Sequence, residues 1–190
     1  MLNKKEFAKI RKEMEKADKA REDTIRLSSD IIGISKRIIY SIHRNNLNEA
    51  SRYIKEIISK KNRLDKMNKP ADANINKTAY QEYAEALCYY GFVKDKKIPT
   101  KASLKIDVED YLMGLCDLTG EVGRKAVNDI IKKNFKEALL IKELVEEIYG
   151  EFLKFNLRNS ELRKKSDAIK WNLKKLEDVI FDAKVKGMMK

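Results

Sequence analysis

The stretch YQEYAEALCYYGFV, from Tyr80 to Val93, carries only two charged side chains, Glu82 and Glu85. A second stretch, YLMGLCDLTGEVG from Tyr111 to Gly123, carries only Asp117 and Glu121. In a chain that is 38% charged, such windows are rare. Apolar nearly all round, both have the pattern of helices buried in a core. Glu82 and Glu85 are three residues apart and Asp117 and Glu121 four, so each pair shares one face of its helix. The two windows therefore predict four carboxylates at places where water has poor access.

Helical spacing continues on both sides of these windows. Phe7, Ile10, Met14 and Ala17, then Thr24, Leu27, Ile31, Ile34 and Ile38, predict one long amphipathic helix ending near Asn45 and Asn46. A second helix is expected from Leu47 to Met67, stopping before Pro70, with a loop from Asn68 to Lys77. The first window lies in a third helix, Thr78 to Val93, which a Lys-rich turn through Pro99 follows. The second lies in a fourth, from near Asp107 to Lys133. A fifth runs from Phe135 to Phe155, and after a break at Asn156 to Asn159 the last carries Leu162, Ile169, Leu173, Leu176, Ile180 and Ala183 on one stripe. Only 7 Gly and 2 Pro occur in 190 residues, too few for sandwiches or barrels with many turns. The expected fold is all-α, a single bundle of about six or seven helices forming one domain over residues 1–190. Gly114, Gly120 and Gly123 inside the fourth helix each cost about 1 kcal/mol relative to alanine. Close helix approach, or room for a ligand against the backbone, would compensate.

Charge separates along the chain. The net +12 divides into +9 over residues 1–70, −1 over 71–160 and +4 over 161–190. A basic excess in the outer helices fits a polyanionic partner such as nucleic acid, or a merely solubilising surface. Cys88 and Cys116 are too few for a disulfide scaffold and predict a reducing, cytoplasmic setting. The first twenty residues lack an apolar signal region, and no window is apolar enough to span a membrane. No phosphate-cradling glycine loop is present. A single histidine and two scattered cysteines argue against zinc. His43 reads as a dipole partner at the end of the first helix rather than a general base.

The four acids admit two explanations. Two facing helices with four oxygen donors suit Mg²⁺ or Mn²⁺. Salt bridging is the other, with Arg124 three residues from Glu121 and with Lys or Arg of the first helix. A carboxylate-held ion in a basic protein points to phosphodiester chemistry.

At these residues the chain resembles the translin/TRAX family. QEYAEAL, Gln81 to Leu87, and DYLMGLCDLTGEVGR, Asp110 to Arg124, are similar to the two acidic motifs of TRAX, and REDTIRLSSDIIGISKRIIYSIHR and LRKKSDAIKWNLKKLEDVIFDAKVKG extend the resemblance over essentially the whole chain. The C-terminal segment is as similar to translin as to TRAX. The resemblance implies a TRAX-like, archaeal form: a Mg²⁺-dependent (or Mn²⁺-dependent) endoribonuclease cleaving single-stranded RNA. Glu82, Glu85, Asp117 and Glu121 would bind metal and activate water as a set, inside a hollow homo-octamer. Single-stranded DNA is a second implied partner. Arg37, Arg44, Arg124 and Lys125 are candidate contacts to the RNA backbone. Phe152, Phe155 and Trp171 are candidate anchors between subunits. The alternative is a catalytically silent, translin-like scaffold that binds single-stranded RNA or DNA. A helical adaptor with a solubilising basic surface is a third reading.

Overall fold

The computed structural model describes residues 2–67, 73–158 and 160–188. Among these the chain is all-helical, with no strand. Seven helices follow one another: α1 (Lys4–His43), α2 (Leu47–Met67), α3 (Ala73–Asp95), α4 (Lys101–Leu104), α5 (Val108–Ile131), α6 (Phe135–Leu153) and α7 (Glu161–Val185). None of them is long and apolar enough to cross a membrane.

Side-chain caps mark four of the starts, α2 among them, where Asn46 accepts from the backbone N–H of Glu49. Asn3 accepts from the backbone N–H of Lys5 and Glu6, Thr100 from Ser103, and Ser160 from Arg163, each satisfying donors that a helix end leaves unpaired. Between α1 and α2, Asn45 takes a left-handed φ of 58°, the geometry its short polar side chain tolerates. Two expectations need correction. The segment Ala73–Lys77 is the first turn of α3, not loop, and the rest of the expected loop, 68–72, lies outside the described residues. A one-turn helix, α4, follows the Lys-rich turn.

α1 packs on α2 and α3, α3 packs on α5, and α5 packs on both α6 and α7. Ile31, Ile34, Ile38 and Ile42 on α1 are at most 1% exposed, each contributing roughly 1.5–3 kcal/mol by leaving water. α1 overhangs this bundle. Between Lys4 and Asp23 none of its side chains is buried, and Phe7, Ile10 and Met14 stay exposed. Phe152 belongs to the core of one chain, which removes it from the exposed anchors, whereas Phe155 and Trp171 are exposed.

The link into α5 is pinned by a buried cation. Lys61 of α2 donates to the carbonyl of Lys105 at 2.6 Å and to Asp65 at 2.8 Å, with the Tyr80 and Tyr83 rings about 6 Å away. Lys105 itself caps α4 with φ 54°. Tyr80 donates to Asp65 at 3.0 Å, so the ammonium and the carboxylate both keep partners where water is scarce.

α3 and α5 come together at Gly114. A Cβ there would lie 2.6 Å from the Cβ of Ala84 and 2.7 Å from the carbonyl of Gln81. Close approach is thus the reason for this glycine. Gly120 and Gly123 have another, since a Cβ at Gly120 would meet only Asn172 at 3.7 Å and one at Gly123 nothing within 4 Å. The two positions should respond oppositely to alanine. Gly114→Ala is expected to lose about 1–3 kcal/mol by overpacking despite the better helix propensity. Gly123→Ala is expected to gain up to about 1 kcal/mol. Urea unfolding of both variants checks this, and equal shifts would contradict the packing account.

Candidate functional site

The acids of both charge-poor windows come within electrostatic reach of one another. Glu82 and Glu85 on α3 each feel Asp117 and Glu121 on α5. Their surroundings differ. Glu85 is 7% exposed, and its carboxyl has no hydrogen bond or ion pair among the described residues. Burial first, then the negative charges of Asp117, Glu82 and Glu121, push it up to about 8. It therefore holds its proton at neutral pH when no added cation is near. Glu82, half-buried, is also raised, chiefly by desolvation, with Lys36 of α1 opposing.

The other two acids already have hydrogen-bonding partners. Asp117 pairs with Lys165 of α7. Glu121 lies 2.5 Å from the Nε2 of His43, at the last turn of α1. An ionised carboxylate only accepts, so Nε2 carries the proton in this pair. Nδ1 faces the Tyr89 hydroxyl at 3.4 Å, and the two rings lie 5.4 Å apart. The His43 hydrogen bond outweighs burial and holds Glu121 below the usual carboxylate range.

This arrangement revises the sequence reading at several residues. His43 sits in the last turn of α1, as a dipole partner would, and also reaches Glu121 of the acidic cluster. Arg124 makes no ion pair with Glu121; its charge acts on that carboxylate only at longer range. Lys125 is held in a largely buried pair with Asp129 at 2.8 Å and is not a free surface cation. Arg37 and Arg44 are exposed, their guanidinium carbons 5.4 and 5.6 Å from the ring centres of Tyr53 and Tyr40. Lys36 and His43, seven apart on α1, were legible as one face shared with Ile32 and Ile39. Lys165 had no comparable signal, because its partner lies on a helix 48 residues away in sequence.

Glu82, Glu85, Asp117 and Glu121 are the residues that could hold a metal ion. Among the described residues, no three His, Cys, Asp or Glu side chains converge as a ready cation cage. Lys165 and His43 hold Asp117 and Glu121, and burial favours the protonated form of Glu85.

The sequence profile of the Translin family matches residues 19–187. Translin of Gallus gallus is 36% identical over 85 residues, 45% of this chain and only 37% of the chicken protein. An uncharacterized protein of Methanocaldococcus jannaschii is 30% identical, over 83% of this chain and 73% of its own length. Translin-associated protein X of Rattus norvegicus is 25% identical over 95% of this chain and 78% of its own. The crystal structure of apo-NeC3PO superposes with a TM-score of 0.89 at 30% identity, covering 95% of this chain and 97% of the other. A duplex RNA complex of AfC3PO shares the fold, with a TM-score of 0.88 at 23% identity over 97% of this chain and 100% of the other.

The Glu85 environment has a measurable sign. A carboxyl raised in the folded state binds its proton more tightly there than when unfolded, so stability falls as pH rises from the ordinary carboxylate range to about 8. In EDTA, Glu85→Gln is expected to raise the Tm relative to wild type, by a margin that grows between about pH 5 and about pH 8.5. A margin independent of pH would show that Glu85 is solvated and ionised throughout.

Proposed function

The chain belongs to the Translin family, and on that premise we propose that it is a divalent-metal-dependent endoribonuclease acting on single-stranded RNA. One observation carries this reading: a desolvated carboxylate, Glu85, without a partner among the described residues and within reach of three more. A cluster meant only for structure would gain by replacing Glu85 with an apolar residue. Hard oxygen donors on two helices suit Mg²⁺ or Mn²⁺. When bound, such an ion supplies Lewis-acid polarisation of a phosphate oxygen and a more acidic water.

The chain's own groups do the rest. Glu82, Glu85, Asp117 and Glu121 would hold the ion, with Glu85 giving up its proton as the cation arrives. Lys165, which pairs with Asp117 in the absence of the ion, would supply an ammonium for the phosphate once that carboxylate is engaged. His43 keeps Glu121 ionised and oriented, with Tyr89 steadying the ring from the other nitrogen. The exposed Arg37 and Arg44, in a chain of net charge +12, would contact the polyanion. The overhanging half of α1 and the exposed Phe155 and Trp171 would be covered by further copies of the chain, in a homo-oligomer of octameric size.

A second reading has its own support. Lys165 and His43 already occupy Asp117 and Glu121, as they would in a silent scaffold that binds single-stranded RNA or DNA without cutting it. Incubation with single-stranded RNA and Mg²⁺ separates the two. Internal cleavage is expected, lowered by at least about a hundredfold in Glu85→Ala and in Asp117→Ala with RNA binding retained. Intact RNA in the wild-type reaction, or full activity in both variants, would refute the nuclease reading.

A further inference from the structure

We propose that the cavity between α5 and α7 binds one nucleotide unit of an RNA strand, its base against the apolar floor and its phosphate on Arg124 and Lys175. This rests on the reading of the chain as a protein that acts on RNA. The cavity holds about 360 Å³, within the range of small-molecule pockets. Its α5 wall is formed by Gly120 and Gly123, where there are no side chains, and a Cβ at Gly123 would meet nothing within 4 Å. That open wall lets a flat group lie against the helix backbone.

The lining is of two kinds. Val127 and Leu176 supply apolar floor, which suits the face of a heterocycle. Arg124 and Lys175 are exposed, and neither makes an ion pair or a hydrogen bond among the described residues. Lys164, Lys165 and Lys174 of α7 pair with carboxylates, whereas Lys175, like Lys170 and Lys184, does not. Asn172 donates to Thr119 at 2.8 Å, which fixes its amide and leaves its carbonyl oxygen for the edge of a base. A bare anion would not use the apolar floor, and a purely apolar ligand would leave two cations unused. A nucleotide satisfies both. Gly120 and Arg124 flank Glu121 in sequence, so the occupant would sit on the face of α5 that adjoins the acid cluster. The site would therefore hold a nucleotide next to the one being cut.

Calorimetric titration of the full-length protein in EDTA tests this, with adenosine 5′-monophosphate, adenosine, inorganic phosphate and a single-stranded oligoribonucleotide as probes. The monophosphate is expected to bind at least about tenfold more tightly than adenosine or phosphate, and Gly123→Leu and Lys175→Gln to weaken it about tenfold or more. The oligoribonucleotide should compete for the site, which distinguishes a strand from a free nucleotide. Phosphate binding as tightly as the monophosphate would reduce the cavity to an anion site and overturn the proposal. So would unchanged nucleotide affinity in Gly123→Leu, including the case where light scattering shows that variant altered in oligomeric mass. Loss of nucleotide binding in Gly123→Leu, in a protein that never cuts RNA, would uphold this site and refute only the nuclease reading. RNA cleavage without nucleotide binding would do the reverse.

Discussion

A carboxylate removed from water must meet a cation, accept a proton, or cost the fold several kcal/mol. The centre of this protein does the first two at four neighbouring positions. Lys165 answers Asp117, His43 answers Glu121 and Lys36 acts on Glu82, while Glu85, with Lys165 opposing only weakly, is pushed by burial toward its protonated form. The compensating groups come from α1 and α7, the two helices that flank the α3–α5 pair. The bundle therefore delivers its positive charge to the acids from both sides, although the acids themselves lie in the part of the chain with the least basic excess.

Gly114 makes this possible. Because α5 can approach α3 to within reach of Ala84 and the Gln81 carbonyl, Asp117, one turn further along α5, comes within electrostatic reach of Glu85. Gln81 also donates to Asp110 at 3.2 Å, tying the same two helices one turn earlier. Packing and electrostatics therefore converge on one stretch of about two turns. A bulkier residue at the contact would separate the helices and, with them, the charges.

Much of this was legible in the chain before folding. Helix spacing located α1, α2, α5, α6 and α7 closely, because each has a long apolar stripe and a clear stop. The start of α3 was not, because Asn74, Asn76 and Lys77 look like turn residues, yet Asn76 is buried and accepts from Ser28 at 2.8 Å. α4 is a single turn, too short for any period to show. The four acids stood out because their windows lack other charge. Of their partners, Lys36 and His43 share a legible face of α1, whereas Lys165 is one lysine among many. The three glycines of α5 looked alike and differ in the fold: one permits contact, the other two leave a wall open. The candidate cations divided too, with Lys125 taken by Asp129 while Arg37, Arg44 and Arg124 remain exposed.

The claim on which the rest turns is that the four carboxylates form a place for a divalent ion, filled by Lys165, His43 and a proton when none is bound. Crystals soaked in Mn²⁺ and measured at the manganese edge test it directly. Anomalous density is expected between Glu82 and Glu85 on α3 and Asp117 and Glu121 on α5, with the Lys165 ammonium moved off Asp117. No density there, with Lys165 still on Asp117, would contradict it and make the cluster an ion-pair network.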